Sequence, residues 1–370
     1  MKTLTAEERT ALRDAVHRLL TDGSYEAAVR TAMETESGYD PGLWQQLAEM
    51  GVVGLLVDEA MGGSGAGPME LEVVMEEVGA ALLCSPLLAS GVLAVRLLQA
   101  LGDDALNARV LPEIATGRCI ATAVLTGESG CWTESGVAVS ASDRDGQWRL
   151  DGTASYVLHG QNANRLIVIA RTGDELSAFL VDAAGDGVGI EGLPTFDHTL
   201  RLAQVSFEGA AAERIYAAVP VWEAVSQALD LTLVALAGEQ AGAAERCLAF
   251  TVEYAKTRIQ FGRQIGSFQA IKHMAADLLL ETESAISAAR HAAARLAEGA
   301  ADVKEAVSLA AFACADAFVK TAADSIQMHG GIAFTWEHPS HLYLRRARAD
   351  AQLFGTPAYH RERYLEALGA

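Results

Sequence analysis

Apolar residues recur with a helical period over most of the chain and with a strand-like texture only in its middle third. Near the start, Thr5 and Glu8 form a capping-box pattern ahead of Leu12, Val16, Leu19 and Leu20, whose spacing predicts an amphipathic helix. A second helix is predicted through Leu43 to Met50. The glycine-rich stretch Met61-Gly-Gly-Ser-Gly-Ala-Gly67 then leads through Pro68 into a third predicted helix, Glu70 to Leu83. That stretch lies between helices and matches neither GxGxxG nor the P-loop pattern, so it reads as a linker rather than a phosphate cradle.

From Arg118 to Val219 the pattern changes to short alternating or β-branched runs: Ile120 to Leu125, Val137 to Ala141, Trp148 to Leu150, Leu166 to Ala170, Ala178 to Val181 and Gln204 to Phe207. Asp145-Gly146 and Asp151-Gly152 punctuate them as predicted turns. After Pro220 the helical period returns, over Val221 to Thr257, Phe268 to Ala297, Val303 to Met328 and about Pro357 to Leu368. The expected domains are 1–117 (helical), 118–220 (β) and 221–370 (helical).

Charge narrows the functional classes. With 28 Lys and Arg against 48 Asp and Glu the net charge is −20, and no basic run is present. Nucleic acid, whose binding rests on phosphate neutralisation, is not an expected partner, nor is an anionic membrane surface. The apolar runs look interrupted, by Arg96 and by Asp230 and Glu239, and no transmembrane span is expected. The N-terminus has no apolar signal-peptide core, and five scattered cysteines without a CxxC pair fit reduced thiols, so a cytosolic protein is expected.

Conventional catalytic signatures are absent. Gly127-Glu-Ser129-Gly130 is one residue too short for a nucleophile elbow, and His338 and His341 flank Pro339 with no Cys or acidic cluster to complete a metal site, so no metal is expected. Two segments of the last domain carry more. In Arg258-Ile-Gln-Phe261-Gly262-Arg-Gln-Ile-Gly266-Ser-Phe-Gln269 a guanidinium and a ring stand together between long helices, which suits a pyrophosphate beside an aromatic ring. In Gln327-Met-His-Gly330-Gly331-Ile-Ala-Phe334-Thr-Trp336 a helix ends in two glycines, leaving backbone that a planar or anionic ligand can approach.

These segments, with Glu59 through Gly63, Leu111-Pro-Glu-Ile-Ala-Thr-Gly117 and Ala163-Asn164 leading to Ala170-Arg171, make the whole chain resemble the acyl-CoA dehydrogenase family. The resemblance implies an α+β multidomain fold: an N-terminal helical domain, a middle β-barrel or sandwich, and a C-terminal four-helix bundle. It also implies FAD, and α,β-desaturation of an acyl-CoA, in which a carboxylate removes the α proton while the β hydrogen leaves as hydride. In that family the flavin lies between subunits. One subunit supplies a TEPGAGSD-type loop and a WITN-type strand; its neighbour supplies the RxxFG and QxxGG segments. Arg258, Phe261, Gln269, Gln327, Gly330 and Gly331 are therefore the implied cofactor-binding residues.

The first set of contributions departs from the family. Thr126-Gly-Glu-Ser-Gly-Cys131-Trp132 stands in the loop's place, and Tyr156-Val-Leu158-His159 in the strand's, with Leu158 where a flavin-bonding threonine is usual. The catalytic glutamate occurs in the family at one of two positions; here they hold Phe354 and Thr232, neither of which accepts a proton at neutral pH. No catalytic residue is assigned. This division resembles the subunit without the glutamate in the heterotetrameric (α2β2) acyl-CoA dehydrogenases of actinobacterial sterol side-chain breakdown, and implies a glutamate-bearing paralogous partner and an acyl-CoA substrate such as a steroid side-chain thioester.

Two alternatives stay open. One is a self-sufficient homotetrameric flavoenzyme with a relocated base. Its candidates are Glu239, seven residues and about 10 Å along the helix from Thr232, and Asp350, one turn before Phe354. The other is a flavin-free acyl-CoA-binding scaffold. Arg345, Arg346, Arg348, Arg361 and Arg363 form the dense basic cluster from which CoA's phosphates would draw positive charge.

Overall fold

The computed structural model describes residues 4–24 and 26–370. Six helices come first: α1 (Ala6–Gly23), α2 (Glu26–Glu34), α3 (Pro41–Glu49), α4 (Pro68–Ala80), α5 (Val95–Leu101) and α6 (Asp104–Ala115), with a π-helical turn, Leu88–Ala94, running into α5. The Thr5/Glu8 capping box forms as predicted, with Thr5 Oγ1 accepting from the Glu8 amide and Glu8 accepting from the Thr5 amide. The glycine-rich stretch is a structural turn. A Cβ on Gly63 would stand 2.0 Å from the Val57 carbonyl oxygen, so only glycine lets the two strands of chain approach.

Seven strands follow: β1 (Ala121–Val124), β2 (Ser140–Arg144), β3 (Gln147–Leu158), β4 (Arg165–Thr172), β5 (Glu175–Asp182), β6 (Val188–Gly192) and β7 (Leu202–Ile215). β4, β2, β3, β7 and β5 follow one another and β5 pairs back with β4, closing a barrel to which β1 and β6 are added at the edges. Its core is Leu150, Val168, Phe179, Val205 and Phe207 with their neighbours, and Trp148 packs on Phe179 at 5.3 Å between centroids.

Of the two predicted turns, Asp145-Gly146 is one: both residues have positive φ and join β2 to β3 in a two-residue hairpin. Asp151-Gly152 is not. It runs on inside β3, Asp151 pairing with Glu208 and Gly152 with Phe207; the residue skipped by the register is Gly209 of β7. Gly152 takes φ 125° where an added Cβ would stand 2.8 Å from the Ala138 carbonyl oxygen, so the glycine marks a close approach rather than a chain reversal.

The rest is helical: α7 (Val221–Thr257), α8 (Gln269–Glu298), α9 (Val303–His329), α10 (Ser340–Asp350) and α11 (Pro357–Ala367), with a small hairpin of β8 (Ile259–Gln260) and β9 (Arg263–Gln264) between α7 and α8. The expectation about apolar runs needs correcting. α7 and the segment Val303–Phe334 are long and apolar enough to cross a bilayer, but 67% and 61% of their apolar windows are buried within the protein, which is what core helices of a bundle require.

The described residues pack as two compact units. One comprises residues 32–67 and 84–232, and so holds the barrel; the other takes residues up to 31, 68–83 and 233–370. α1 and α4 thus belong with the C-terminal helices. In this helical unit the small residues of α7 seat α4: a Cβ on Gly242 would stand 1.9 Å from the Glu76 carbonyl oxygen, and one on Gly79 would stand 1.8 Å from that of Glu239.

Candidate functional site

In the helical unit, the two singled-out segments meet at one end of the α7–α9 pair. α7 and α9 are pinned there by the Thr251 and Ser325 hydroxyls, 2.7 Å apart, and by the Tyr254 ring stacked on His329 at 4.4 Å. One turn beyond Tyr254 the helix stops at Arg258, whose amide still donates to the Tyr254 carbonyl at 2.8 Å. Immediately after His329 come Gly330 and Gly331. Contacts on the last turns of both helices therefore bring Arg258 and the glycines, about seventy residues apart, to a common end.

The β8–β9 hairpin turns through Phe261 and Gly262, both with positive φ (53° and 77°). That geometry thrusts the Phe261 ring outward until it is 90% exposed, touching only the Phe268 ring edge-on at 6.1 Å, which Arg263 covers from 4.1 Å. Phenylalanine in the left-handed region costs about 1 kcal/mol or more. Nothing within the chain repays that cost by burying the ring.

The glycine segment is as open. Gly330 has φ 68°, and an added Cβ on either Gly330 or Gly331 would meet no atom within 4 Å. Gln327 and Gln269 are exposed, as are Phe334 (78%) and Trp336 (55%), the latter under the Arg345 guanidinium at 5.2 Å. Arg258 is exposed and pairs with no acid among the described residues. The donor set is thus a free guanidinium, unobstructed backbone, an amide side chain and flat rings, which fits a phosphate-bearing ligand with a planar base.

The barrel-side segments are the opposite. Loop 126–136 is folded on itself: Thr126 Oγ1 donates to the Cys131 carbonyl at 2.8 Å, and the Gly127 amide donates to the Gly136 carbonyl at 3.0 Å. Hydrogen bonds from Thr133 and Ser135 hold the Cys131 thiol below its usual range. Tyr156 takes φ 59° at a register shift in β3 and donates its hydroxyl to the Glu128 carbonyl at 3.3 Å. Leu158 and His159 are buried.

The residues at the two glutamate positions are also enclosed. Thr232 is fully buried and its hydroxyl donates to the Ala228 carbonyl at 2.7 Å. Phe354 is buried in the α10–α11 loop with φ 58°. Glu239, the relocated-base candidate, is buried in an ion pair with Arg346, which also donates to the Leu83 carbonyl at 3.3 Å. Asp350 lines a cavity of only about 10 Å³, which admits no acyl group.

Three of the five clustered arginines are engaged within the chain, while Arg348 is exposed. Arg346 is spent on Glu239, Arg345 lies over Trp336, and Arg361 pairs with Asp316 while covering the Phe312 ring at 4.9 Å. His338 and His341 are half-buried, and no group of three metal-ligating side chains occurs among the described residues. Sequence reasoning missed the exposure of Phe334 and Trp336; aromatic residues three and five positions after a glycine pair were the available signal.

Comparison with known proteins places this geometry. A model of the acyl-CoA dehydrogenase N-terminal domain matches residues 6–118, and one of the C-terminal domain matches residues 222–369. Acyl-CoA dehydrogenase IpdE2 of Mycobacterium tuberculosis is 38% identical over 352 residues, covering 95% of this chain and 94% of that protein. The ChsE4-ChsE5 complex from the same organism contains a chain 28% identical, with TM-score 0.90 and coverage of 100% and 99%. A variant of the Tcur3481-Tcur3483 steroid ACAD is likewise 28% identical, with TM-score 0.88 over 98% of both chains. The fold is shared by a glutaryl-CoA dehydrogenase from Mycobacterium smegmatis in complex with FADH2, at 20% identity and TM-score 0.90 over 99% of this chain and 95% of that one.

Proposed function

Because the chain belongs to the acyl-CoA dehydrogenase family of oxidoreductases acting on CH–CH groups, whose cofactor is FAD, we propose that it is the subunit of a two-component acyl-CoA dehydrogenase that completes its partner's flavin site. One observation carries the proposal. The residues a subunit of this family lends to its neighbour stand open to solvent, while those it would use for itself are replaced, buried or bonded within the chain.

The open end fits FAD. Arg258 would meet phosphate charge, Gly330 and Gly331 would let the ligand reach backbone amides, Gln327 would hydrogen-bond, and Phe261 would lend its ring; Gln269 is exposed at the start of α8. FAD, when bound, supplies the two-electron acceptor for the substrate's β hydrogen. The α proton needs a carboxylate, which Phe354 and Thr232 lack. The partner therefore brings the base, in an α2β2 arrangement, and the substrate is an acyl-CoA thioester. A steroid side-chain acyl group is the proposed class, in keeping with the names of the similar chains.

The relocated-base reading loses support from Glu239. Its carboxylate is occupied by Arg346, and freeing it to meet a substrate would break a buried ion pair. All five cysteines are free thiols, which suits the reducing cytosol proposed for the protein.

Co-expression tests the proposal. The chain with a glutamate-bearing paralogue is expected to give a yellow, active dehydrogenase, and the chain alone an inactive one. Turnover of an acyl-CoA by the lone chain would refute it.

A further inference from the structure

The helical unit holds a cavity of about 490 Å³ between α1, α4, α7 and α9, a size typical of small-molecule sites. Neither Arg258, Phe261, Gln327, Gly330 nor Gly331 lines it. Its walls are mostly apolar, including Leu20, Val29, Leu82, Phe250 and Leu342. Its rim carries Glu26, Arg246 and the His17–Glu77 pair at 2.8 Å.

Two histidines give its floor a definite polarity. His329 is 5% exposed, and its Nδ1 lies 2.8 Å from the Ser325 carbonyl oxygen. A carbonyl only accepts, so Nδ1 carries the hydrogen, and in the neutral ring Nε2 is an acceptor. That Nε2 is buried without a hydrogen-bond partner among the described residues. His338 lies beside it, ring centroids 4.4 Å apart, and its Nδ1 accepts from the Ser340 amide at 3.2 Å, which leaves its Nε2 as a donor. Burial holds both rings below the usual histidine range, so both are neutral near pH 7. Tyr254, stacked on His329, and Phe250, 5.7 Å from it, flank the pair with flat faces.

An unpaired acceptor beside a donor, among apolar and aromatic walls, describes one kind of ligand. A carboxylate is refused, because the His329 lone pair would face it. A metal is refused for want of a third ligand among the described residues. A hydroxyl satisfies both nitrogens at once, donating to one and accepting from the other.

We propose that this cavity binds a small, neutral ring compound through a hydroxyl held between His329 and His338.

The test is calorimetric titration of the full chain, alone and co-purified with its partner, with 2-naphthol and with 2-methoxynaphthalene, which has a similar body but no donor. The expected result is that 2-naphthol binds at least tenfold more tightly, that His329→Leu abolishes this preference, and that Ala81→Trp, at a residue lining the cavity, weakens both ligands at least tenfold. Equal affinities in the unaltered chain, a preference that survives His329→Leu, or binding untouched by Ala81→Trp would overturn the proposal. Binding that disappears when the partner is present would overturn it too, since a partner side chain would then fill the cavity. Should His329→Leu fail to fold, the comparison of the two ligands and Ala81→Trp decide the matter.

Discussion

The open end of the helical unit and the loops of the barrel unit contain similar kinds of residue in opposite states. At the helical end a guanidinium, two glycines and three aromatic rings are left in solvent with few internal contacts. In the barrel, the Thr126 hydroxyl, the Tyr156 hydroxyl and the Leu158 side chain are all accommodated by the chain itself. A polar group satisfied at home has little to offer a ligand, whereas one left exposed beside costly apolar surface has its interaction energy still available. The contrast implies work done between chains, because the groups with energy to spare face outward.

The largest expected effect probes the buried side of that contrast. Arg346→Leu breaks a buried ion pair with Glu239 and is expected to destabilise the protein by about 3–5 kcal/mol in urea denaturation. Glu239→Gln in the two-subunit enzyme is expected to lower stability while the folded fraction turns over normally. Abolished turnover at unchanged stability would instead make Glu239 the base.

Next is the open side. Arg258→Ala removes a charge-assisted contact of about 1.5–3 kcal/mol, so the flavin affinity of the mixed complex should fall by roughly 10- to 150-fold in a flavin-release titration. Unchanged affinity would break the comparison.

A smaller effect concerns Glu72, buried beside Glu76, Arg13 and Arg290. Burial, then the Glu76 charge, pushes its carboxyl up to about 9 from an ordinary 4.5. Between those values the folded chain keeps a proton that the unfolded chain has lost, so stability falls as pH rises through that window. Glu72→Gln should flatten this fall, with its largest relative gain in melting temperature near pH 9; an unaltered pH profile would contradict it.

The smallest expected effect is none. Phe354→Glu puts a carboxylate where the resemblance implies the family's base, but Leu158 and the 126–136 loop remain, so the lone chain should stay inactive toward acyl-CoA.

Much of the fold was legible because its signals are local. The Thr5/Glu8 cap, the long helical periods of α7 to α9 and the Asp145-Gly146 hairpin all follow from a few neighbouring residues. Asp151-Gly152 misled because an Asp-Gly pair looks the same whether the chain turns or runs on through a strand; only the pairing with β7 distinguishes them. β6, with two glycines in five residues, gave no alternating pattern to find. At the site, Arg258, Phe261 and the glycine pair were visible as motifs, but their openness was not, since exposure depends on what the rest of the chain leaves uncovered. The Arg346–Glu239 pair was invisible for the converse reason: the partners are 107 residues apart, and a buried arginine reads in sequence as one more member of a basic cluster.

The central claim is that this chain lends a flavin site rather than owning one, and the flavin content of the purified two-subunit complex tests it most directly. Spectroscopic flavin against quantitative amino-acid analysis is predicted to give one FAD for every two polypeptides, and a flavin-poor preparation when this chain is made alone. One FAD for every polypeptide, in the complex or in the lone chain, would contradict the account.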